Sequence, residues 1–204
     1  VETLSINGKC HVIQITDKLT TGAPYFVEMG HSQPSRHSEE IKKKITQIAI
    51  AANQAIGIEN GPSHTEIKVT KEGPKVVELG ARLGGDNITT FLVPLSTGVN
   101  MVECCIRIAL GENPDLEIKH KMASAVRYFD IEYGKIKNIS GIAEARNIPG
   151  VKQIFVVHGV GDKMNGIKSS GDRAGFIIAQ SDTAEKAIEA CIIAKKLIKI
   201  EVEQ

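Results

Sequence analysis

The sequence has no excess of charge of either sign, no apolar run long enough to cross a membrane, and no recognisable signal peptide. Its 25 Lys and Arg residues nearly balance 24 Asp and Glu residues, which leaves a formal net charge of +1. This balance gives no electrostatic reason to expect a nucleic acid or a membrane surface as a partner. No window reaches the roughly 20 apolar residues of a transmembrane helix, and the N-terminus lacks the basic and then apolar order of a signal peptide.

The sequence also lacks cysteines at the spacing of a zinc site. Its four cysteines lie within apolar runs, without a CxxC pair: Cys10, Cys104, Cys105 and Cys191. We therefore expect reduced, packed thiols and a cytoplasmic location. At 204 residues the chain is long enough for one large domain or two small ones. It begins at Val1, inside a predicted strand, which suggests a fragment or a processed product.

Two strand-like segments, Thr65–Thr70 and Lys75–Leu79, flank a polar turn that contains Gly and Pro, which predicts a hairpin. Each segment carries one carboxylate, Glu66 or Glu78. If the strands pair, these charges lie close together, which is costly unless a cation lies between them. Magnesium is the natural candidate because it takes one or two protein carboxylates and completes its shell with phosphate and water. The alternative is a surface hairpin with two solvated acids.

An arginine and two glycines follow the second acid. Arg82 comes four residues after Glu78, and Gly84 and Gly85 follow closely. A planar guanidinium beside backbone that has no side chains can bind an anion that also bridges a metal ion. The segment therefore combines predicted sites for a cation and for a phosphate.

These residues carry a family resemblance. The string His64-Thr65-Glu66-Ile67-Lys68, followed by Val77-Glu78-Leu79-Gly80-Ala81-Arg82-Leu83-Gly84-Gly85, resembles the metal-binding hairpin and loop of the ATP-grasp superfamily. It is most similar to the branch of L-amino acid ligases and formate-dependent phosphoribosylglycinamide formyltransferase, with biotin carboxylase further away. The resemblance implies an α+β chain: the C-terminal half of an ATP-grasp fold, with an antiparallel sheet and helices, and then a small α+β C-terminal domain.

The resemblance implies an ATP-dependent carboxylate–amine ligase that uses Mg²⁺ or Mn²⁺ and forms an acyl phosphate. In this interpretation Glu66 and Glu78 hold the metal ions of ATP. Arg82 binds the acyl phosphate or the tetrahedral intermediate. Lys68 falls where the family often packs an aliphatic residue beneath adenine, and its stem could do so with the charged head in water. The expected partners are therefore a small-molecule carboxylate and an amine.

The resemblance assigns the loop after Arg82 to the substrate. Gly84 and Gly85 let the backbone approach the intermediate, and Asp86 or Asn87 meets a substrate amine. For Asp86 the alternative is a cap on the following helix. Biotin carboxylase-like enzymes usually have Asn two residues after the second acid, whereas this chain has Gly80. The third oxygen ligand of those enzymes therefore has no counterpart at this position.

His31 is the second catalytic candidate, within the pattern Gly30-His31-Ser32-Gln33-Pro34. We predict a strand over Tyr25–Met29, which places His31 on an exposed loop just after the strand ends. The resemblance to the amino acid ligases implies that this histidine helps to stabilise the intermediate. The alternative is an ordinary surface histidine.

The N-terminal elements are predicted from turn and cap signals. Residues 1–16 predict a hairpin with an Asn-Gly turn at Asn7 and Gly8, in which Glu2 is a solvated strand acid. A helix is predicted from its cap Ser38 to Ile56, and a second helix over Asn100–Leu110.

A domain boundary is predicted at Lys119–Lys121, so that residues 1–118 form the ATP-grasp part and residues 122–204 the small C-terminal domain. Within the latter we predict a strand over Ala123–Phe129, a hairpin at Glu132–Lys135 and a last helix over Ala184–Ile198.

Two other functions stay open at this point. The chain could be a non-catalytic nucleotide- or metal-binding domain with a regulatory role, or an assembly domain. Relatives dimerise through the ATP-grasp body, so a homodimer is compatible with the resemblance. The resemblance also assigns the adenine hinge to an N-terminal half that precedes these residues, so we expect no ATP turnover by the 204-residue chain alone.

Overall fold

A computed structural model describes all residues, Val1–Gln204, and confirms the predicted α+β class. Contacts group the chain into two compact units. The first contains Val1–Asp17 and Gln33–Met122, and the second contains Lys18–Ser32 and Ala123–Gln204. The domain boundary at Lys119–Lys121 stays a prediction. The segment Lys18–Ser32 belongs to the same unit as the C-terminal residues, which was not predicted.

The first unit is built on a four-stranded sheet with strand order β2-β1-β5-β6. Its strands pair antiparallel and comprise β1 (Glu2–Ile6), β2 (Lys9–Gln14), β5 (Gly61–Thr70) and β6 (Gly73–Gly80). Asn7 and Gly8 have φ of 50° and 77°, the left-handed turn that Asn-Gly favours. Both hairpins predicted for this unit are therefore confirmed.

The helices of the first unit begin at residues that cap them. They are α1 (Glu39–Ala55), α2 (Val93–Thr97) and α3 (Met101–Ala109), with a π-helical turn over Ile88–Leu92. The Ser38 hydroxyl accepts a hydrogen bond from the Ile41 N–H, as the predicted cap requires. Helix α1 packs on β2 and β6 around the buried residues Val1, Ile45 and Ala49, and α3 contacts β1 and β5.

The second unit has a five-stranded sheet of order β3-β4-β7-β11-β9 and a three-stranded sheet of order β10-β8-β12. Strands of the larger sheet are β3 (Asp17–Thr20), β4 (Glu28–Gln33), β7 (Ala123–Tyr128), β9 (Val151–Val156) and β11 (Gly175–Ser181). Those of the smaller sheet are β8 (Gly134–Ser140), β10 (Lys163–Met164) and β12 (Lys199–Glu203). Helix α4 (Ile142–Arg146) packs on α5 (Ala184–Leu197), which covers β7 and β11.

The hairpin predicted at Glu132–Lys135 is wrong. Strand β7 pairs with β11, whereas β8 pairs with β10 and β12, so the chain changes sheets between these two strands. Ile136 of β8 is buried in the core, and Ile200 and Val202 of β12 pack against that core. The last strand, β12, was not predicted, and it pairs with β8 and adds apolar side chains to the same core.

All four cysteines are free thiols in the structure. Burial raises the pKa of Cys191 to about 12, so its thiol stays protonated and unreactive at neutral pH. No single helix is long and apolar enough to span a membrane, although the helices Ile88–Thr97 and Met101–Ala109 meet that test as a pair bent by 110°.

Candidate active site

Glu66 and Glu78 lie directly opposite each other across β5 and β6. Residues opposite each other in an antiparallel pair project to the same face, and like charges in that arrangement are destabilising. The register shifts immediately after Glu66, because β6 contains one extra residue, Val77, at that point. Such a bulge bends the strand and re-aims its side chains. The predicted juxtaposition of the two acids is therefore present, at an irregular point of the sheet.

This pair of carboxylates fits a magnesium ion. Glu66 is half-buried and Glu78 is exposed, so both can meet a ligand from solvent. The chain contains no group of three or more His, Cys, Asp or Glu side chains arranged to hold a metal ion. Magnesium needs no such group, because it commonly takes one or two protein carboxylates and completes its octahedral shell with phosphate oxygens and water.

Arg82 folds back over Gly80. Its N–H donates to the Gly80 carbonyl at 2.8 Å, and a Cβ built on Gly80 would lie only 3.3 Å from the Arg82 Cγ. The Arg82 Nη1 donates to the Leu83 carbonyl at 3.1 Å, and the side chain is exposed. The arginine side chain thus covers the position at which biotin carboxylase-like enzymes have Asn.

The two glycines after Arg82 have different surroundings. Gly84 is buried, and a Cβ there would lie 2.7 Å from Glu2 Oε2 and 2.8 Å from His64 Nδ1. The Thr89 hydroxyl donates to the Gly84 carbonyl at 2.7 Å. Gly85 is exposed and a Cβ there would meet nothing within 4 Å. Close packing therefore requires a glycine at residue 84, whereas residue 85 presents open backbone.

Asp86 and Asn87 both adopt left-handed backbone conformations, with φ of 52° and 63°. Asn87 occupies the cap position before Ile88–Leu92, and its side chain makes no capping hydrogen bond. The alternative prediction, that Asp86 caps the following helix, is wrong because the π-helical turn begins one residue later than that cap would require.

The buried Glu2 and the partly buried His64 form a pair that the sequence interpretation missed. Glu2 lies opposite His64 across β1 and β5, and His64 Nδ1 is 2.6 Å from Glu2 Oε1. The prediction of a solvated Glu2 is wrong: its side chain is fully buried, because β1 is an inner strand. His64 Nε2 lies 3.8 Å from Glu66 Oε1. No local signal in the sequence indicates this pair, because its two members are 62 residues apart.

Comparisons with known proteins match two family models to this chain. Residues 1–90 match the ATP-grasp domain family, and residues 127–203 match the L-amino acid ligase C-terminal domain 2. The chain belongs to the ATP-grasp superfamily. ATP-grasp enzymes use ATP together with a divalent metal ion.

Individual relatives are ATP-grasp ligases of two kinds. The chain is 34% identical to an alanine–anticapsin ligase of Bacillus subtilis, over 57% of this chain and 24% of that protein. It is 32% identical to a phosphoribosylamine–glycine ligase of Caldanaerobacter subterraneus, over 86% of this chain and 43% of that protein. The L-amino acid ligase structure from Bacillus licheniformis has a TM-score of 0.87 at 26% identity, over 100% of this chain and 51% of that one. The chain thus spans about half or less of the length of these relatives.

Lys68 is the least constrained of the predicted ATP-grasp site residues. It is exposed on β5, two residues after Glu66, so strand alternation puts both on one face. Its opposite residue is Lys75. Two lysines opposite each other are mutually repulsive, which favours an anionic ligand or solvent beside them. The role of Lys68 under adenine stays a prediction.

His31 lies in the second unit and not on an exposed loop, so that prediction is wrong. Strand β4 runs from Glu28 to Gln33 and includes His31, which is 2% exposed. The strand continues through Gly30 because a glycine admits its neighbour β7: a Cβ there would lie 2.8 Å from the Val126 carbonyl. The His31 carbonyl accepts a hydrogen bond from Arg127 Nη1 at 3.1 Å.

The start of β4 is held by a polar cluster that sequence reasoning also missed. Arg173 Nη1 donates to the Glu28 carbonyl at 3.0 Å, and its guanidinium lies 3.8 Å from the Tyr128 ring centroid. The Glu28 carboxylate accepts from Ser170 and Lys18. Partial burial acts to raise the pKa of this carboxyl, but its hydrogen bonds and Lys18 hold it below the usual value. Ser170 and Arg173 thus anchor the strand that contains His31.

Proposed function

We propose that the full-length protein joins a small-molecule carboxylate to an amine at the expense of ATP, through an acyl phosphate. The observation that carries this proposal is the direct opposition of Glu66 and Glu78, followed by the Arg82 loop. The acid–amine class is supported by relatives named as alanine–anticapsin ligase and L-amino acid ligase.

The proposed reaction has two steps. A carboxylate oxygen of the substrate attacks the γ-phosphorus of ATP, and the bond to the β-phosphate oxygen breaks to give an acyl phosphate and ADP. The amine nitrogen then attacks the carbonyl carbon. Collapse of the tetrahedral intermediate expels phosphate, and loss of a proton from nitrogen leaves the amide. Such steps depend mainly on positioning and on stabilisation of developing charge.

Five of the predicted site residues have roles in this scheme. Glu66 and Glu78 would hold magnesium, which neutralises phosphate oxygens when it is bound. Arg82, exposed and directed over Gly80, would bind the transferring group through parallel N–H donors. Gly85 would bring open backbone to the intermediate, and Asp86 would meet the amine. The role of His31 stays a prediction.

The test is ADP formation by the full-length protein, measured with pairs of amino acids as carboxylate and amine donors. We expect ADP release only when magnesium and both substrates are present, with an equal amount of amide detected by mass spectrometry. Glu78→Gln is the matched inactive variant, because it keeps the side-chain size and removes the charge. Nucleotide binding without ADP release for any pair, while a known amino acid ligase is active in parallel, would instead favour the regulatory function.

A further inference from the structure

The pair of Glu2 and His64 has no role in the proposed reaction. Glu2 is fully buried, and its Oε2 has no hydrogen-bond partner. A buried carboxylate is costly, and a partly satisfied one more so, unless surrounding structure compensates. The contact with His64 Nδ1 at 2.6 Å is therefore a strong constraint on both side chains.

The pair lies between two parts of the candidate site. Towards β5, His64 Nε2 is 3.8 Å from Glu66 Oε1. Towards the loop after Arg82, Glu2 and His64 pack so closely on Gly84 that a Cβ there would lie 2.7 to 2.8 Å from their polar atoms. One hydrogen-bonded unit thus contacts both a predicted metal ligand and the predicted phosphate loop.

The hydrogen bond to Glu2 fixes the orientation of the imidazole. A ring whose Nδ1 is held by a carboxylate cannot turn freely, so its Nε2 edge stays directed to the Glu66 side of the strand. The 3.8 Å separation is too long for a hydrogen bond. The ring therefore acts on Glu66 as a close neighbour that restricts a flexible side chain.

We propose that Glu2 and His64 are positioning residues for the metal site. Glu2 fixes the His64 ring, the ring confines the Glu66 carboxylate beside Glu78, and the same pair seats Gly84 of the following loop. Confining a glutamate before it meets a cation lowers the conformational entropy lost on binding and so raises affinity. This inference rests on the proposed function, since it takes Glu66 as a metal ligand.

The test measures metal affinity in the full-length protein, independently of turnover. The probe is Mn²⁺ with a non-hydrolysable ATP analogue, and bound Mn²⁺ is followed by water-proton relaxation enhancement. His64→Asn keeps a donor near the Nδ1 position and removes the Nε2 edge. We expect it to weaken Mn²⁺ binding roughly 10- to 100-fold, as for other residues that orient metal ligands, with little change in melting temperature.

Two substitutions of Glu2 separate positioning from packing. Glu2→Gln keeps an oxygen that accepts from Nδ1, so we expect Mn²⁺ affinity within about threefold of wild type. Glu2→Leu removes the acceptor and should match the loss of His64→Asn. His11→Asn on the neighbouring strand β2 is the control, expected to stay within about twofold.

The outcomes distinguish the positioning role from the function on which it rests. If Glu78→Gln abolishes Mn²⁺ binding while His64→Asn retains wild-type affinity, the positioning role is overturned and the proposed function stands. If wild type and Glu78→Gln bind Mn²⁺ equally weakly, the metal site and the proposed function fail together. Should Glu2→Leu not fold, the comparison of His64→Asn with Glu2→Gln decides alone, because equal affinities would contradict positioning.

Discussion

The two units bury different chemistry. The second unit buries few polar side chains, namely His31, Ser32 and Ser124, beside an apolar core rich in alanine and isoleucine. The first unit buries many polar side chains around its sheet, among them Glu2, Thr3, Ser5, Asn53, Ser63, Thr65 and Thr89. Some of these are paired, as Thr3 is with Ser63 at 2.6 Å. Others leave a buried oxygen without a hydrogen bond, as Glu2 and Thr65 do.

The buried polar side chains, which lower stability, are concentrated in the unit that contains the candidate site. Buried polar groups stabilise less than apolar ones of similar size, and unsatisfied ones are destabilising. Within the first unit, the buried Glu2 pairs with His64 beside Glu66, whereas the second unit buries mainly apolar side chains. Substitutions of the exposed site residues Glu78 and Arg82 should therefore alter function with little effect on folding, and substitutions in the apolar core should do the reverse.

The largest effect is expected from the two acids. Glu78→Gln should lower kcat on the order of a thousandfold, and Glu66→Gln on the order of a hundredfold. The larger loss is assigned to Glu78 because it lies nearer the Arg82 loop in the sequence. Magnesium titrations of ADP production for both variants decide the order. Equal or reversed losses would contradict this assignment.

A core substitution in the second unit should lower stability without changing metal affinity. Ile177 is fully buried on β11, and Ile177→Ala should lower the free energy of unfolding by about 3 kcal/mol through lost burial and a cavity. At temperatures where the variant is folded, its Mn²⁺ affinity should match wild type. Ile177→Val is the milder control, at about 1 kcal/mol. Chemical unfolding followed by circular dichroism measures both. A folded Ile177→Ala protein with greatly weakened Mn²⁺ binding would break the contrast between the units.

Local sequence signals were sufficient for elements with strong turn and cap chemistry. The Asn7-Gly8 turn, the Ser38 cap and the strands that carry Glu66 and Glu78 were all predicted, because each depends on residues close in the sequence. The facing of the two acids depends in addition on the bulge at Val77, because the register set by the turn alone would place Val77 opposite Glu66. Local signals thus predict the two strands and their turn, but not the register at the centre of the candidate site.

Long-range pairing accounts for the errors. The prediction of a solvated Glu2 failed because no nearby residue indicates that β1 lies between β2 and β5. His31 was placed on a loop because the Gly-His-Ser pattern resembles a strand end, yet Gly30 continues the strand to admit β7. The predicted β7–β8 hairpin is wrong for the same reason. One partner of β8 is the last strand, β12, which lies more than 50 residues away in the sequence.

The next largest effect is expected from Arg82. Its substitution distinguishes an arginine that only pairs with a nearby acid from one that binds the transferring phosphate. Lys cannot reproduce the two parallel donors of a guanidinium. Arg82→Lys should therefore lower kcat roughly a hundredfold, while the melting temperature and the ATP Kd change little, since the side chain is exposed. Steady-state kinetics and thermal unfolding measure the two properties. Full activity would remove Arg82 from the site, and with it most of the argument for catalysis by this loop.

The smallest effects come from two adjacent glycines, which form a matched pair for stability. Gly84→Ala would place a methyl group against the Glu2 carboxylate and His64, at 2.7 and 2.8 Å, so these groups or the loop must move. We expect a loss of about 1 to 3 kcal/mol in the free energy of unfolding.

Gly85→Ala meets nothing within 4 Å and needs no left-handed backbone, so its stability should lie between that of wild type and about 1 kcal/mol above it. Denaturant unfolding of both variants gives the difference. If Gly84→Ala is as stable as Gly85→Ala, Glu2 and His64 are not packed as tightly on the loop as the structure has them. The polar pair would then be a feature of β1 and β5 alone, without a link to the loop that follows Arg82.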